Sequence, residues 1–159
     1  MAPGPAVETL AARKAEAVAG GRPDALVLGA DTVVVLGGEV LGKPPTPEAA
    51  RAMLHRLSGR EHTVYTGIAL VHGGRTVTAH EATAVRFGPL AEAEIAAYIA
   101  TGSPMDKAGA YGIQDDLGSL FVAGITGDYF NVVGLPLHRL YATLKAHFGE
   151  VVAVGASGG

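Results

Sequence analysis

The sequence contains no cysteine and no tryptophan, and what it lacks excludes several classes of protein. Without cysteine there is neither a disulfide framework nor a cysteine nucleophile, which agrees with a reducing cytosol. No apolar run approaches the roughly 18 residues that a membrane-spanning helix needs. The first twenty residues show no basic start followed by an apolar block, so no signal peptide is visible. We therefore expect a cytoplasmic protein with no membrane association.

Basic residues are too few for a surface that binds nucleic acid without specificity. The 159 residues include 12 Lys and Arg against 15 Asp and Glu, which gives a net charge of −3 and a pI near 6.0. Binding to a nucleic-acid backbone needs a basic face, so we expect no nucleic-acid partner. A small phosphorylated ligand remains compatible with this charge, because a few lysines around one pocket can bind it.

Apolar residues make up 48% of the chain and glycine occupies 23 positions, which suits one packed core with many turns. Helices covering a sheet are expected, so the fold class is α/β, in a single domain over 1–159 with a disordered tail over 149–159. Hydrophobic periodicity predicts helices over 6–19, 46–57, 91–100 and 136–148, and strands over 25–36, 39–41, 61–72, 75–87 and 120–125.

The chain opens on a helix, whereas an α/β domain usually opens on a strand. Leu10, Lys14 and Val18 are four residues apart and share one face of this helix. Helix lysines mostly face solvent, so Lys14 alone is a weak candidate for a functional residue.

Two further residues are stronger candidates for chemistry. Asp31 interrupts an apolar strand, where a carboxylate is costly unless it is paired, lies at the strand's mouth or binds a metal. The alternative is a structural aspartate that accepts hydrogen bonds from backbone amides. Lys43 lies between Gly42 and a pair of prolines that stiffen the backbone around one cation. A solvated loop lysine is the simpler interpretation of that residue alone.

The most informative stretch is the glycine-rich loop over 101–114. It contains an adjacent acid and base, Asp106 and Lys107, and Tyr111 and Gln114 follow closely. Glycines let backbone amides approach an anion, and lysine supplies positive charge to a phosphate. The spacing is not that of a Walker A loop. The histidines are scattered without metal-ligand spacing, and His62 near a strand start is more often structural. Carboxylates, lysines and neutral amides suit metal-assisted hydrolysis of a phosphoanhydride.

Five stretches resemble the motifs of the Maf family, in the family's order, over about Leu10 to Phe148. They are Ala30-Asp31-Thr32, Leu41-Gly42-Lys43-Pro44, Ser58-Gly59 with His62, Asp106-Lys107-Ala108-Gly109-Ala110-Tyr111 with Gln114, and Asn131-Val132-Val133-Gly134-Leu135-Pro136. The resemblance implies a nucleoside triphosphate pyrophosphatase that cleaves between the α- and β-phosphates with a divalent cation, Mg²⁺ or Mn²⁺. It also implies a homodimer and a mixed, elongated sheet flanked by helices, similar to that of the inosine triphosphate pyrophosphatases.

The resemblance assigns roles to seven residues. Asp31, Lys14 and Lys43 match the catalytic group, with Asp31 as general base. Asp106 and Lys107 match an acid–lysine pair that contacts the substrate, and the metal is expected on Asp31 and Asp106. Thr32 and Gln114 match the positions that separate substrate subgroups, and resemble the dTTP/UTP subgroup, with modified pyrimidine nucleotides as further substrates. A neutral amide can pair with the donor and acceptor of a thymine or uracil edge.

The chain also departs from the family pattern. The family's strand ending in Ser-x-Ser-Pro-Arg-Arg and a later glutamate are both absent, Ser103 stands where glutamate is usual, and Asp115 stands where glycine is usual. Three hypotheses follow: an active dTTP/UTP pyrophosphatase, a catalytically impaired nucleotide-binding or cell-division regulatory protein, or a chain whose missing strand is encoded just upstream of Met1. Under the last hypothesis, we expect an empty strand position beside 25–36.

Overall fold

The computed structural model describes residues 2–151. One sheet has the strand order β2-β1-β3-β4-β5 and is flanked by helices, which confirms the α/β class. The helices are α1 (Pro3–Ala19), α2 (Pro47–Leu57), α3 (Glu92–Ala100), α4 (Gly118–Phe121), α5 (Tyr129–Val133) and α6 (Leu137–Phe148). The strands are β1 (Val27–Leu36), β2 (Glu39–Leu41), β3 (Glu61–His72), β4 (Arg75–Phe87) and β5 (Val122–Thr126).

The five described strands pair antiparallel throughout, so the expectation of a mixed sheet is wrong for them. The physical reason is local for two of the pairings. The glycine pairs Gly37-Gly38 and Gly73-Gly74 adopt positive φ and turn the chain back on itself, so that β1–β2 and β3–β4 are hairpins. Parallel neighbours would need longer crossover connections.

Helix α1 lies directly on the sheet because two glycines leave room for its backbone. A Cβ atom on Gly29 of β1 would lie 2.4 Å from the carbonyl oxygen of Ala11. A Cβ atom on Gly67 of β3 would lie 2.4 Å from the carbonyl oxygen of Val7. The helix meets these glycines with small side chains, and Val7, Ala11 and Ala15 are fully buried. The close approach therefore fixes both the position and the rotation of α1.

The flank of α1 next to this buried face carries Leu10, Lys14 and Val18. Leu10 is 38% exposed and Val18 is 53% exposed, so this face of the helix is not the one that packs on the sheet. The periodicity identified the helix, but the small residues form its buried face because the sheet beneath is lined with glycine.

Helices α5 and α6 cover the other face of the sheet. On β4, Thr78 donates a 2.5 Å hydrogen bond to Glu8 of α1, whereas Glu81 lies 3.4 Å from Arg139 of α6. Residues three apart in a strand point to opposite faces, so α1 and α6 are on opposite sides. The main core lies where α2 and α3 pack against one end of the sheet, and its largest members include Leu54, Leu57, Val64, Ile95 and Tyr98.

One edge of β1 is largely open. Strand β2 pairs only with Val34–Leu36, while β3 pairs along the other edge from Val27 to Val35. Within residues 2–151 no strand occupies the position beside 27–33 on the β2 side. An empty strand position therefore lies beside β1, where the sequence led us to expect one.

Two local predictions need correction or completion, and one short helix was not predicted. The strand expected over 120–125 begins only at Val122, because 118–121 form the short helix α4. Helix α5 itself was not predicted; Asp128 caps it by accepting a hydrogen bond from the amide of Phe130, and Asn131 is buried within it. Of the tail expected over 149–159, residues 149–151 form a turn, and 152–159 lie outside the described residues.

No helix within residues 2–151 has the length and apolar content required to cross a lipid bilayer.

Replacing Gly67 with alanine tests the close approach of α1 to the sheet. The new methyl group would overlap the backbone of Val7, so we expect the free energy of unfolding to fall by about 2 kcal/mol or more. Urea denaturation measures this change. The matched control is Gly88→Ala, because a Cβ atom there meets nothing within 4 Å and the residue has no positive φ. Equal stability of the two variants would contradict this account of the packing.

Candidate active site

A cavity of about 320 Å³ opens at the free edge of β1. It is bounded by β1, by the loop over 103–115 and by the end of α5. Every residue that the sequence singled out for catalysis, substrate binding or metal binding lines this one cavity. They are Lys14, Asp31, Thr32, Lys43, Asp106, Lys107 and Gln114. The structure thus brings together residues from α1, β1, the β2–α2 loop and the later glycine-rich loop.

Lys14 and Asp31 form an ion pair at the mouth of the cavity. The Lys14 Nζ atom lies 2.5 Å from Asp31 Oδ1 and 3.5 Å from the carbonyl oxygen of Ala30. The Lys14 side chain is 59% exposed and that of Asp31 is 20% exposed, so the carboxylate is the more enclosed partner. No hydrogen bond within residues 2–151 engages the second oxygen of Asp31. This oxygen is available to a ligand or to water.

Successive residues of β1 reach the cavity from opposite faces of the sheet. Asp31 is on the α1 face, where it meets Lys14, and Thr32 is on the α5 face, where it meets Thr66. Both line the same cavity because the edge of β1 between them is not covered by another strand. A ligand in the cavity can therefore touch groups from both sides of the sheet.

The glycine-rich loop is folded by two consecutive residues with left-handed backbone conformations. Gly109 has φ 72° and Ala110 has φ 66°, a conformation that costs a non-glycine residue about 1 kcal/mol or more. The amide of Gly109 donates to the carbonyl of Gly42 at 3.0 Å, which ties this loop to the one that carries Lys43. The strained turn thereby places Lys43 and Lys107 on the wall of one cavity.

Lys107 is held by several oxygen atoms. Its Nζ atom lies 3.0 Å from the carbonyl of Ser103, 3.2 Å from Asp106 and 3.6 Å from Asp115. Asp115, which departs from the family pattern, is fixed in turn by a 2.5 Å hydrogen bond from the hydroxyl of Tyr98. Burial raises the pKa of Tyr98, so this hydroxyl stays protonated and donates. Asp115 is therefore an acid that the sequence did not assign to the site.

Two polar side chains of the cavity, Lys43 and Gln114, are free to meet a ligand, and most of the Asp106 side chain is also open to one. The Asp106 side chain is 80% exposed, and both Lys43 and Gln114 are exposed. Neither Lys43 nor Gln114 forms a side-chain hydrogen bond or ion pair within the described part of the chain, although both line the cavity. A ligand that contacts them need not displace an internal partner.

His62 supports the cavity from behind and does not line it. Its Nε2 atom lies 2.6 Å from the hydroxyl of Tyr111, whose side chain does line the cavity. His62 is 2% exposed, and this burial lowers its pKa to about 4, so the imidazole is neutral at pH 7. The structural interpretation of His62 from sequence agrees with this geometry.

The cavity carries three lysines and three aspartates, Lys14, Lys43, Lys107, Asp31, Asp106 and Asp115. The lysines can neutralise an anionic ligand such as a chain of phosphates, and a carboxylate can accept a proton from water. Within residues 2–151 no three metal-ligating side chains cluster closely enough to form a cation site by themselves. Asp31 and Asp106 offer two oxygen ligands, and Mg²⁺ commonly takes only one or two carboxylates beside substrate phosphates and water.

The sequence reasoning missed Thr66, which is fully buried beneath the cavity. Its hydroxyl lies 2.9 Å from that of Thr32 and 3.0 Å from the carbonyl of Asn131. The only signal in the sequence is a threonine at a position of β3 that faces the interior. Such a residue needs hydrogen-bond partners, but its partners are distant in sequence.

Fold and cavity together define an α/β protein whose cavity, lined by lysines, carboxylates and a free amide, has the chemistry to suit a phosphorylated ligand. Comparison with known families names the class. The family described as "Maf-like protein" matches residues 1–147 of this chain. The chain therefore belongs to the Maf-like family.

Several relatives that share this family are named dTTP/UTP pyrophosphatase. The protein from Salinibacter ruber is 58% identical over 159 residues, covering 99% of this chain and 78% of its own length. That from Symbiobacterium thermophilum is 56% identical over 156 residues, covering 98% and 79%. That from Moorella thermoacetica is 61% identical over 151 residues, covering 94% and 77%. The chain thus spans nearly four fifths of the length of these relatives.

The buried neutral His62 predicts that stability falls in mildly acidic solution. Its pKa is about 4 in the folded chain and about 6.5 when unfolded, so between these values the unfolded state binds a proton that the folded state does not. Stability is fully present above about pH 6.5 and is lost as the pH falls towards 4. From pH 7 to 5 we expect the free energy of unfolding to drop by about 2 kcal/mol on account of this residue.

Urea denaturation across this pH range measures the effect. His62→Gln, which keeps a hydrogen-bonding group for Tyr111 but does not titrate, should show a drop that is smaller by that amount. Identical pH dependence in the two proteins would contradict the assignment.

Proposed function

We propose that this chain hydrolyses dTTP and UTP, and modified pyrimidine nucleotides of the same shape, to the nucleoside monophosphate and pyrophosphate. The observation that carries the proposal is the meeting of all seven singled-out residues in one cavity at the edge of β1. The names of the Salinibacter, Symbiobacterium and Moorella relatives support the choice of reaction and substrate.

Asp31 acts as the general base in this proposal. Its Oδ1 atom is paired with Lys14, and its second oxygen is free to accept a hydrogen bond from water. When a triphosphate enters, the ammonium of Lys14 moves from the carboxylate to a phosphate oxygen and leaves Asp31 to take the proton of the attacking water. The same cation thereby holds the base in place before binding and balances phosphate charge afterwards.

Lys43 and Lys107 bind the phosphate chain from the other wall of the cavity. Lys43 is free of internal partners among the described residues, so it can contact phosphate without losing an existing interaction. Lys107 is anchored by Ser103, Asp106 and Asp115 and so presents its charge in a fixed position. Fixed charges need little reorganisation as the negative charge shifts during the reaction.

Thr32 and Gln114 bind the base. The exposed carboxamide of Gln114 offers a donor group that matches a carbonyl of uracil or thymine. A carboxylate at this position would have no proton to donate to the carbonyl of the base.

Asp31→Asn tests the proposed reaction. The amide cannot accept a proton from water, so we expect the rate of pyrophosphate release from UTP and dTTP to fall by about 100- to 10,000-fold. The matched control is Asp24→Asn, an exposed aspartate outside the cavity, which should retain the wild-type rate. The proposal fails if the wild-type chain releases no pyrophosphate from any nucleoside triphosphate, or if both variants are equally active.

A divalent cation, Mg²⁺ or Mn²⁺, is part of the proposal. Asp31 and Asp106 supply only oxygen ligands, and both line the cavity, which fits a hard cation that takes its other ligands from phosphate and water. When bound, the cation supplies positive charge that stabilises the phosphate oxygens. Chelation with EDTA should abolish turnover and added Mg²⁺ should restore it, whereas turnover that resists chelation would contradict a metal requirement.

A catalytically impaired nucleotide-binding or regulatory protein is the second candidate. The observation that favours it is Ser103, which stands where the family usually has glutamate, so that one carboxylate is absent from the loop before Asp106. Calorimetry distinguishes the candidates. Binding of UTP without release of pyrophosphate would support the second, and turnover by the chain would reject it.

We further propose a cytoplasmic homodimer that binds no nucleic acid. The acidic net charge supports the last point, and the family resemblance supports the dimer. Light scattering measures the mass in solution, and a monomer at all concentrations would contradict the dimer.

A further inference from the structure

A chain of hydroxyl groups connects the cavity to the interior of the protein. Thr32 on β1 and Thr66 on β3 are directly opposite one another in the sheet, and their Oγ1 atoms are 2.9 Å apart. The Oγ1 atom of Thr66 is also 3.0 Å from the carbonyl oxygen of Asn131. Thr66 and Asn131 are both fully buried, whereas Thr32 lines the cavity.

The direction of these hydrogen bonds follows from counting protons. A hydroxyl group has one proton, and a carbonyl oxygen can only accept. The proton of Thr66 must therefore be donated to the carbonyl oxygen of Asn131, because otherwise two oxygen atoms would face each other at 3.0 Å in a fully buried site. Thr66 then has only lone pairs to offer Thr32. The hydroxyl of Thr32 consequently donates its hydrogen bond to Thr66, and Thr32 presents only lone pairs to the cavity.

The carbonyl of Asn131 is held in place independently of Thr66. It also accepts a 3.1 Å hydrogen bond from the amide of Gly134. The Nδ2 atom of Asn131 donates to the carbonyl of Val64 at 3.1 Å and to the hydroxyl of Thr83 at 3.0 Å. Because the Val64 carbonyl can only accept, this amide orientation is forced. Asn131 thus imposes the direction of the chain that ends at Thr32.

We propose that Thr66 is a specificity-determining residue. Because it accepts a hydrogen bond from the hydroxyl of Thr32, it leaves Thr32 with only lone pairs to offer the base. Such a group selects a base that presents an N–H. Uracil and thymine carry a proton on ring nitrogen N3, whereas cytosine carries a lone pair there, which Thr32 would repel. This inference rests on the proposed function, and it assigns to the Thr32–Thr66 pair the rejection of cytidine nucleotides.

The substitution Thr66→Val tests the inference, since valine has nearly the same shape as threonine and cannot accept a hydrogen bond from Thr32. Thr32 could then rotate its proton towards the cavity and donate to N3 of cytosine. We expect kcat/KM for CTP to rise and the UTP-to-CTP ratio to fall by about tenfold or more. Thr66→Ser keeps the hydroxyl and should keep the wild-type ratio. Thr32→Val should weaken UTP without any gain in CTP.

The same ratios measured by calorimetry with α,β-methylene analogues of UTP and CTP separate this inference from the proposed function. If the analogues bind but neither UTP nor CTP is hydrolysed, the proposed function fails. The ratio of the two binding affinities still tests the inference. An increased affinity of Thr66→Val for the CTP analogue supports it. The inference is overturned if Thr66→Val and Thr66→Ser show the same ratio, if wild type does not distinguish the two bases, or if neither analogue binds. Should Thr66→Val fail to fold, a UTP-to-CTP ratio unchanged in Thr32→Val would equally overturn it.

Discussion

The contact between α1 and the glycines of the sheet is the constraint on which the site depends. Gly29 and Gly67 admit the helix backbone so closely that a single methyl group on either would touch a carbonyl of α1. This contact allows little freedom of rotation, so the direction of the neighbouring face that carries Lys14 is also determined. This packing places Lys14 beside Asp31 of β1, where the two side chains form an ion pair. A structural feature of the core thus positions a charged pair at the surface.

The second determinant is the open edge of β1. Alternation along a strand normally sends adjacent side chains to separate environments. Here Asp31 and Thr32 reach a single cavity because no described strand covers the edge between them. In the proposed reaction this arrangement separates two tasks across the thickness of the sheet. On the α1 side, Asp31 accepts the proton of water and Lys14 binds phosphate. On the α5 side, Thr32 contacts the base.

The sequence predicted most elements, and it failed where structure depends on distant partners. Strands β3 and β4 were recognisable from their β-branched residues and the glycine turn between them, because these signals are local. The short helix α5 was not predicted, since its cap is recognisable only once Asp128 is seen to accept a hydrogen bond from the backbone amide of Phe130. The antiparallel pairing of β1 with β3 could not be inferred, because α2 lies between them and either direction was open.

The candidate site divides in the same way. Asp31, Lys43 and the polar residues of the glycine-rich loop stood out by their apolar or glycine-rich context. The roles of Lys14 and Thr32 came from the family resemblance. Asp115, Tyr98 and Thr66 were not assigned, because their importance lies in hydrogen bonds that cross between elements. A buried threonine or tyrosine acquires a role only when its partner is known, and the partner of Thr66 is 34 residues away at Thr32.

In the proposed reaction, a pyrimidine nucleoside triphosphate bound in the cavity is hydrolysed between its α- and β-phosphates. The most direct test is to follow UTP and dTTP incubated with the chain and Mg²⁺ by phosphorus NMR. We expect the three triphosphate signals to be replaced by those of the nucleoside monophosphate and pyrophosphate, in equal molar amounts. Signals of nucleoside diphosphate and orthophosphate, or an unchanged triphosphate spectrum, would contradict it.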